Sequence, residues 1–206
     1  MMGNSFDDKA ATWDENPGRI ALVEKVWEVI KKQIPLGTIQ KVLDYGCGTG
    51  LLGYKTINNV DLVTFCDTSK GMLEQVERKK EYYNYNNVEI LQSDFTSDKI
   101  PQKKYDLILS MLVLHHVENI PLLLEKFKEI LTKGGLFCWI DLDQEDGSFH
   151  TDSTDIPHLG FSKSEIESYF DAAGFQSTFY STELFLQRER ENGLRNYPLF
   201  IVIAEK

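Results

Sequence analysis

Cysteine is scarce in this 206-residue chain: Cys47, Cys66 and Cys138 are the only three. They form no CxxC spacing, which argues against a disulfide framework or a cysteine zinc site and fits a reducing compartment. Long apolar runs are missing too; none approaches the roughly 18 to 20 residues that a membrane-spanning helix needs. The opening, MMGNSFDDKAATWDE, has no basic stretch followed by an apolar one, so no secretory signal is expected and the expected location is cytoplasmic. Basic charge is in deficit. With 22 Lys and Arg against 32 Asp and Glu, the net charge of −10 repels nucleic-acid phosphates. In the densest basic cluster, ERKKEYYNY, acids flank the bases; of its two readings, an RNA-facing stripe and a solvated helix end, the second is expected. These absences leave a small-molecule substrate, with no nucleic-acid partner and no membrane span.

What is present is an ordinary globular composition, 42% hydrophobic with 12 Phe, 9 Tyr and 3 Trp. The length suits one domain over residues 1–206, with residues 1–34 as a helical cap and 144–160 as a loop or lid. Helical spacing of Ile20, Val23, Val26, Trp27, Ile30 and Ile34 predicts a first helix, capped by Asn16 with Pro17 in its first turn. Strand-like runs KVLDY, DLVTFCD, VEILQSD, YDLILSML and LFCWIDLD then alternate with helical patterns. A short helix is expected near residues 49–57, another from Ser69, another running to a terminal glycine at Gly134, and a last one opened by the Ser162–Glu165 capping box. FQSTFYSTELFLQ and YPLFIVIAEK read as two final strands joined by the charged turn RERENGLRN. The alternation predicts an α/β fold: a Rossmann-like, doubly wound, mostly parallel seven-stranded sheet with an antiparallel edge strand and helices on both faces.

Three glycines, Gly46, Gly48 and Gly50, fall within five residues directly after KVLDY. Ordered glycine is entropically costly, so something must approach the main chain there. Two ligand classes use such a strand-to-helix turn at the carboxyl edge of a sheet. GTGLLG (residues 48–53) matches G-x-G-x-x-G, which points to a nicotinamide dinucleotide and an oxidoreductase, with Asp67 holding a ribose. Against that, DYG separates the strand from these glycines, and Asp44 brings a negative charge that is unhelpful near a pyrophosphate but favourable near a cationic ligand.

VLDYGCGTG closely resembles motif I of the class I S-adenosylmethionine-dependent methyltransferases. The rest of that family's pattern follows in order: TFCDTSKGML, LQSDF, YDLILSMLVLHHV and LTKGGLFCWID. The opening FDDKAATWDENP looks like that of the branch containing ubiquinone and menaquinone methyltransferases. The resemblance implies S-adenosylmethionine as cofactor and methyl transfer to a small molecule. It implies that Gly46, Cys47, Gly48 and Gly50 pack against the methionine part, with Asp44 favouring its ammonium. Asp67 would serve the ribose, with Thr68 beside it in the cofactor site, Met72 the adenine face, Asp94 and Phe95 the adenine edge, and Ser110 and Met111 the far side of the donor. Separately from the resemblance, Phe6 and Trp13 on an expected N-terminal helix either close over the donor or anchor that helix to the core.

His115 and His116 follow the fourth strand on the correct edge and are the candidate proton acceptors. His150 and His158, with Asp152 and Asp155, match no ligand template, and Asp141 and Asp143 lack the pattern of catechol-type Mg²⁺ enzymes, so no metal is expected. A methyltransferase-like binding module without catalysis is the third reading.

Overall fold

The computed structural model describes residues 6–150, 156–190 and 193–206. Its core is a seven-stranded sheet in the order β3-β2-β1-β4-β5-β7-β6. The strands are β1 (Lys41–Tyr45), β2 (Leu62–Asp67), β3 (Val88–Gln92), β4 (Tyr105–Met111), β5 (Leu131–Leu142), β6 (Gln176–Arg190) and β7 (Gly193–Glu205). β1 pairs in parallel with β2 and β4, and β7 runs antiparallel to both of its neighbours, β5 and β6. The expected antiparallel pair thus lies at one edge, with the reversed strand one place in from it. Strand order reverses between β1 and β4, so the loop after β1 opens at the switch point where α/β sheets place their ligands.

The helices are α1 (Pro17–Gln33), α2 (Lys70–Tyr83), α3 (Ile120–Ile130) and α4 (Lys163–Ala173). Asn16, Ser69, Asn119 and Ser162 each accept a backbone N–H of the first turn, satisfying donors that would otherwise be orphaned. Two hydrophobic clusters lie on opposite faces of the sheet. One takes Leu22, Val26 and Ile30 of α1 and Val76 of α2; the other takes Leu123, Leu124 and Phe127 of α3 and Ile166 and Phe170 of α4. Ile20, counted in the apolar stripe of α1, is 36% exposed instead.

Three expected boundaries move. The run at 49–57 forms turns and a single 3-10 turn at Gly53–Lys55 rather than a helix. Helix α3 stops at Ile130, not at Gly134, because Leu131 is captured as a strand residue opposite Tyr105. The register then jumps to Leu136 opposite Leu107, and Gly134, at φ +74°, bends the chain through that irregularity. The C-terminus secures it, with Lys206 donating to the carbonyls of Gly135 (3.0 Å) and Leu131 (2.7 Å). The turn RERENGLRN is mostly strand, since pairing continues to Arg190 opposite Gly193. Its arginines pack on aromatic rings: Arg188 lies 3.8 Å from the Phe149 ring centre and Arg190 5.4 Å from that of Tyr197.

Candidate active site

The loop after β1 is pinned to the end of β2. Gly46 and Cys47 both donate to the Cys66 carbonyl (2.7 and 3.0 Å), and Gly48 donates to Asp67 Oδ2 (2.8 Å). The three glycines have positive φ, +68°, +53° and +84°, which an L side chain adopts only at a cost. They differ in what a side chain would meet. At Gly46 a Cβ would overlap Val113, and at Gly50 it would stand 2.8 Å from the Phe65 ring. At Gly48 its nearest neighbours are Trp13 Nε1 at 3.8 Å and Met72 Sδ at 4.0 Å. Gly46 and Gly50 are therefore small to fit the protein, whereas at Gly48 a side chain would make only ordinary contacts with an indole and a thioether.

Asp67 holds the centre of this arrangement. Its Oδ1 accepts the Ser69 N–H (2.8 Å) while Oδ2 takes Gly48, and burial pushes its pKa up despite those donors and the Thr68 N–H. A carboxylate has about four lone-pair sites, so further donors such as a ribose diol can still be taken. The Thr68 carbonyl accepts from Gln92 Nε2 (3.0 Å). Met72 is buried at the start of α2.

Asp44 sits differently from the expectation. Its carboxyl is buried beneath the loop and accepts the Gly53 N–H (2.9 Å), and burial pushes its pKa up to about 7. The contact it makes is with the chain itself. Ser110 is a clearer departure: within β4 and fully buried, it donates to the Tyr45 carbonyl (3.0 Å) and ties β4 to β1. Half-buried Met111 ends that strand, and Leu112 follows at φ +58°. Asp94 Oδ1 accepts from the backbone and hydroxyl of Thr96 (2.8 and 2.7 Å), leaving Oδ2 for another donor. The Phe95 ring is buried 5.0 Å from Tyr45.

Sequence reasoning missed how firmly the N-terminal segment is fastened over the loop. Asp14 accepts the Thr49 hydroxyl (2.5 Å) and pairs with Lys79 (2.6 Å), which also donates to the Thr49 carbonyl (2.7 Å). Asp7 accepts from the Ser69 hydroxyl (2.5 Å) and the Gly71 N–H (2.9 Å) at the start of α2. Arg19 stacks 3.6 Å from the Trp13 ring centre, and the Phe6 ring lies between Trp13 (5.9 Å) and His116 (5.8 Å). The signal available in advance was the spacing of acids in FDDKAATWDE, which on its own reads as solvated charge.

The two histidines part company. Buried His115 contacts Asp141 through Nδ1 at 2.5 Å, and Asp141 also accepts from Trp139 Nε1 (3.2 Å) and the Leu142 N–H (2.9 Å). Burial opposes its ionisation, but the His115 ring and these donors hold Asp141 below the usual carboxylate range. With an ionised Asp141, Nδ1 is the protonated nitrogen of His115 and Nε2 carries the lone pair. Burial, then the neighbouring His115 and His150, pushes His116 down to about 3, which makes it a weak base at neutral pH. His158 turns to the Val117 carbonyl (3.0 Å), Asp143 to the Gln144 N–H (2.9 Å), and Asp152 and Asp155 lie outside the described residues.

The glycine loop and its acidic partner thus stand at the switch point of a seven-stranded sheet, where open α/β folds place their ligands. Residues 42–135 match the family model described as a methyltransferase domain. That match, with the relatives and folds below, supports a place in the class I S-adenosylmethionine-dependent methyltransferase superfamily. It is 35% identical over 156 residues to (S)-coclaurine N-methyltransferase of Thalictrum flavum subsp. glaucum, covering 73% of this chain and 40% of that one. A SAM dependent methyltransferase from Aquifex aeolicus has the same fold, at a TM-score of 0.68 and 21% identity, covering 97% of each chain. So does coclaurine N-methyltransferase bound to N-methylheliamine and SAH, at 0.69 and 18% identity, covering 90% of this chain and 73% of that one. The chain spans roughly a third to a half of the length of the curated relatives it matches. Among the described residues no helix is long and apolar enough to cross a membrane.

Proposed function

We propose that this protein transfers the methyl group of S-adenosylmethionine to a small-molecule acceptor. The observation that carries the reading is the grouping of Trp13 and Met72 about Gly48, whose N–H is held by the Asp67 carboxylate. A sulfonium nucleoside suits these groups: a carboxylate for a ribose diol and a thioether for an adenine face. Asp94 Oδ2 would take the adenine amino group, and Cys47 and Gly48 the amino acid part. The buried position of Ser110 gives it a bracing role instead of a place on the donor.

The dinucleotide reading is weaker for a structural reason. A pyrophosphate wants backbone N–H groups at the N-terminus of a helix with its dipole aimed at the anion. After this loop the chain makes only a 3-10 turn at Gly53–Lys55, and the Gly53 N–H is already taken by Asp44.

Methyl transfer from a sulfonium carries its own leaving group, so the protein's task is alignment and exclusion of water, worth roughly 7 to 11 kcal/mol in favourable cases. Residues 6–15, fastened by Asp7, Asp14 and Arg19, would supply the cover. The test is turnover with methyl-labelled donor against amines, the acceptor class to which the names of the N-methyltransferase relatives point, followed by thiols, phenols and quinols. Acceptor-dependent release of S-adenosylhomocysteine is expected for at least one class. Donor binding without turnover on any of them would favour the non-catalytic binding module.

A further inference from the structure

Three histidines lie outside the set of residues assigned to the donor. His115, His116 and His150 stand with ring centres 4.1, 5.2 and 5.3 Å apart, and one nitrogen of each lies within 4.8 Å of the other two. The fold brings them together from two elements: the 3-10 turn after β4 (Leu114–His116) and the loop following β5. Nε2 of His115 and Nε2 of His150 are both buried, and neither has a hydrogen-bond partner among the described residues. A buried ring nitrogen left without a partner forfeits its solvation, so two side by side call for an occupant.

We infer that His115, His116 and His150 form a three-histidine centre for a divalent metal ion, zinc being the best fit. Zinc takes imidazole nitrogens at about 2.0–2.1 Å, and three histidines with one open position is an established catalytic donor set. Tetrahedral geometry at that bond length needs nitrogens about 3.4 Å apart, so binding requires the rings to close in from separations of up to 4.8 Å. Asp141 supplies the support such a site requires. It accepts from His115 Nδ1 at 2.5 Å and from the His115 backbone N–H at 3.2 Å, fixing the tautomer whose Nε2 faces the cluster. Phe149 packs edge-on against His115 and His150, with ring centres 6.3 and 4.8 Å away, giving the centre an apolar wall.

The fourth position of this centre would take water or a nitrogen, oxygen or sulfur atom of an acceptor. His115 is then a ligand and not a proton acceptor, and the two uses of one lone pair exclude each other. The inference stands without the methyl-transfer reading, since it concerns metal affinity alone.

The experiment uses tag-free, chelator-treated full-length protein titrated with Zn²⁺ against a colorimetric zinc chelator. One zinc per chain is expected, with affinity weakened at least tenfold in His116→Gln and in His150→Gln, and about 10- to 100-fold in Asp141→Asn. Circular dichroism of the variants separates ligand loss from unfolding. Should the variants unfold, Co²⁺ added to the unaltered protein provides the second readout: a tetrahedral visible spectrum is expected and its absence overturns the inference. Binding no tighter than that of a surface histidine, or binding unchanged in folded His116→Gln and His150→Gln proteins, overturns it equally.

Discussion

Replacing the loop glycines one at a time separates those that fit the protein from the one that faces the ligand. In Gly46→Ala, the φ of +68° costs about 1–2 kcal/mol for an L side chain. The overlap of its Cβ with Val113 adds an overpacking cost of about 1–3 kcal/mol. The sum is of order 2–5 kcal/mol, a large fraction of the stability of an ordinary domain. In Gly48→Ala the φ cost remains, but the new methyl meets only Trp13 Nε1 at 3.8 Å and Met72 Sδ at 4.0 Å, ordinary contacts. Its stability loss is therefore about 1–2 kcal/mol, while the methyl occupies the space assigned to the donor. Urea unfolding measures the first quantity, and calorimetric titration with S-adenosylhomocysteine the second. Gly46→Ala is expected to lose more stability, part of which Val113→Ala restores in a double-mutant cycle. Gly48→Ala is expected to lose at least tenfold in affinity. Equal destabilisation by the two changes, or unchanged affinity in Gly48→Ala, would refute the assignment of the loop.

Asp67→Ala removes an acceptor of charge-assisted hydrogen bonds worth about 1.5–3 kcal/mol each, so the S-adenosylhomocysteine Kd should rise at least tenfold; a Kd within twofold of the parent's would remove Asp67 from the ribose. Asp44 gives a pH signature: its folded pKa is raised to about 7 against an ordinary value near 4, so its contribution to stability is complete below pH 4 and lost as pH rises through 7. Asp44→Asn should therefore gain stability relative to the parent across that window, by roughly 1.4 kcal/mol per pH unit at most, and a pH-independent difference in urea midpoints would contradict the burial argument.

The order of strands and helices was readable because period-2 and period-3.6 patterns alternate cleanly and each helix opens with a side-chain cap. Gly174 ends α4 in the left-handed conformation as its position foretells. Where the reading slipped, tertiary pairing outweighed local preference. TKGG looks like a helix terminus, yet Leu131 is worth more opposite Tyr105 and beneath Lys206 than as another helical residue. Ser110 and Met111 show a related limit: a motif locates a strand end but not which side chain turns inward. The glycine loop and Asp67 were legible since their spacing is local. The grip of Asp7 on the start of α2 and of Asp14 on the loop, and the meeting of His150 with His115 and His116, join residues about 35 or more positions apart that no periodicity connects.

The central claim is that the space over Gly48 receives a sulfonium nucleoside, and thermal unfolding with added ligands tests it most directly. At about one hundred times Kd, S-adenosylmethionine or S-adenosylhomocysteine should stabilise the protein by about 2.7 kcal/mol, raising Tm by several degrees, with no shift from NAD. A shift with NAD and none with either sulfur nucleoside contradicts the account.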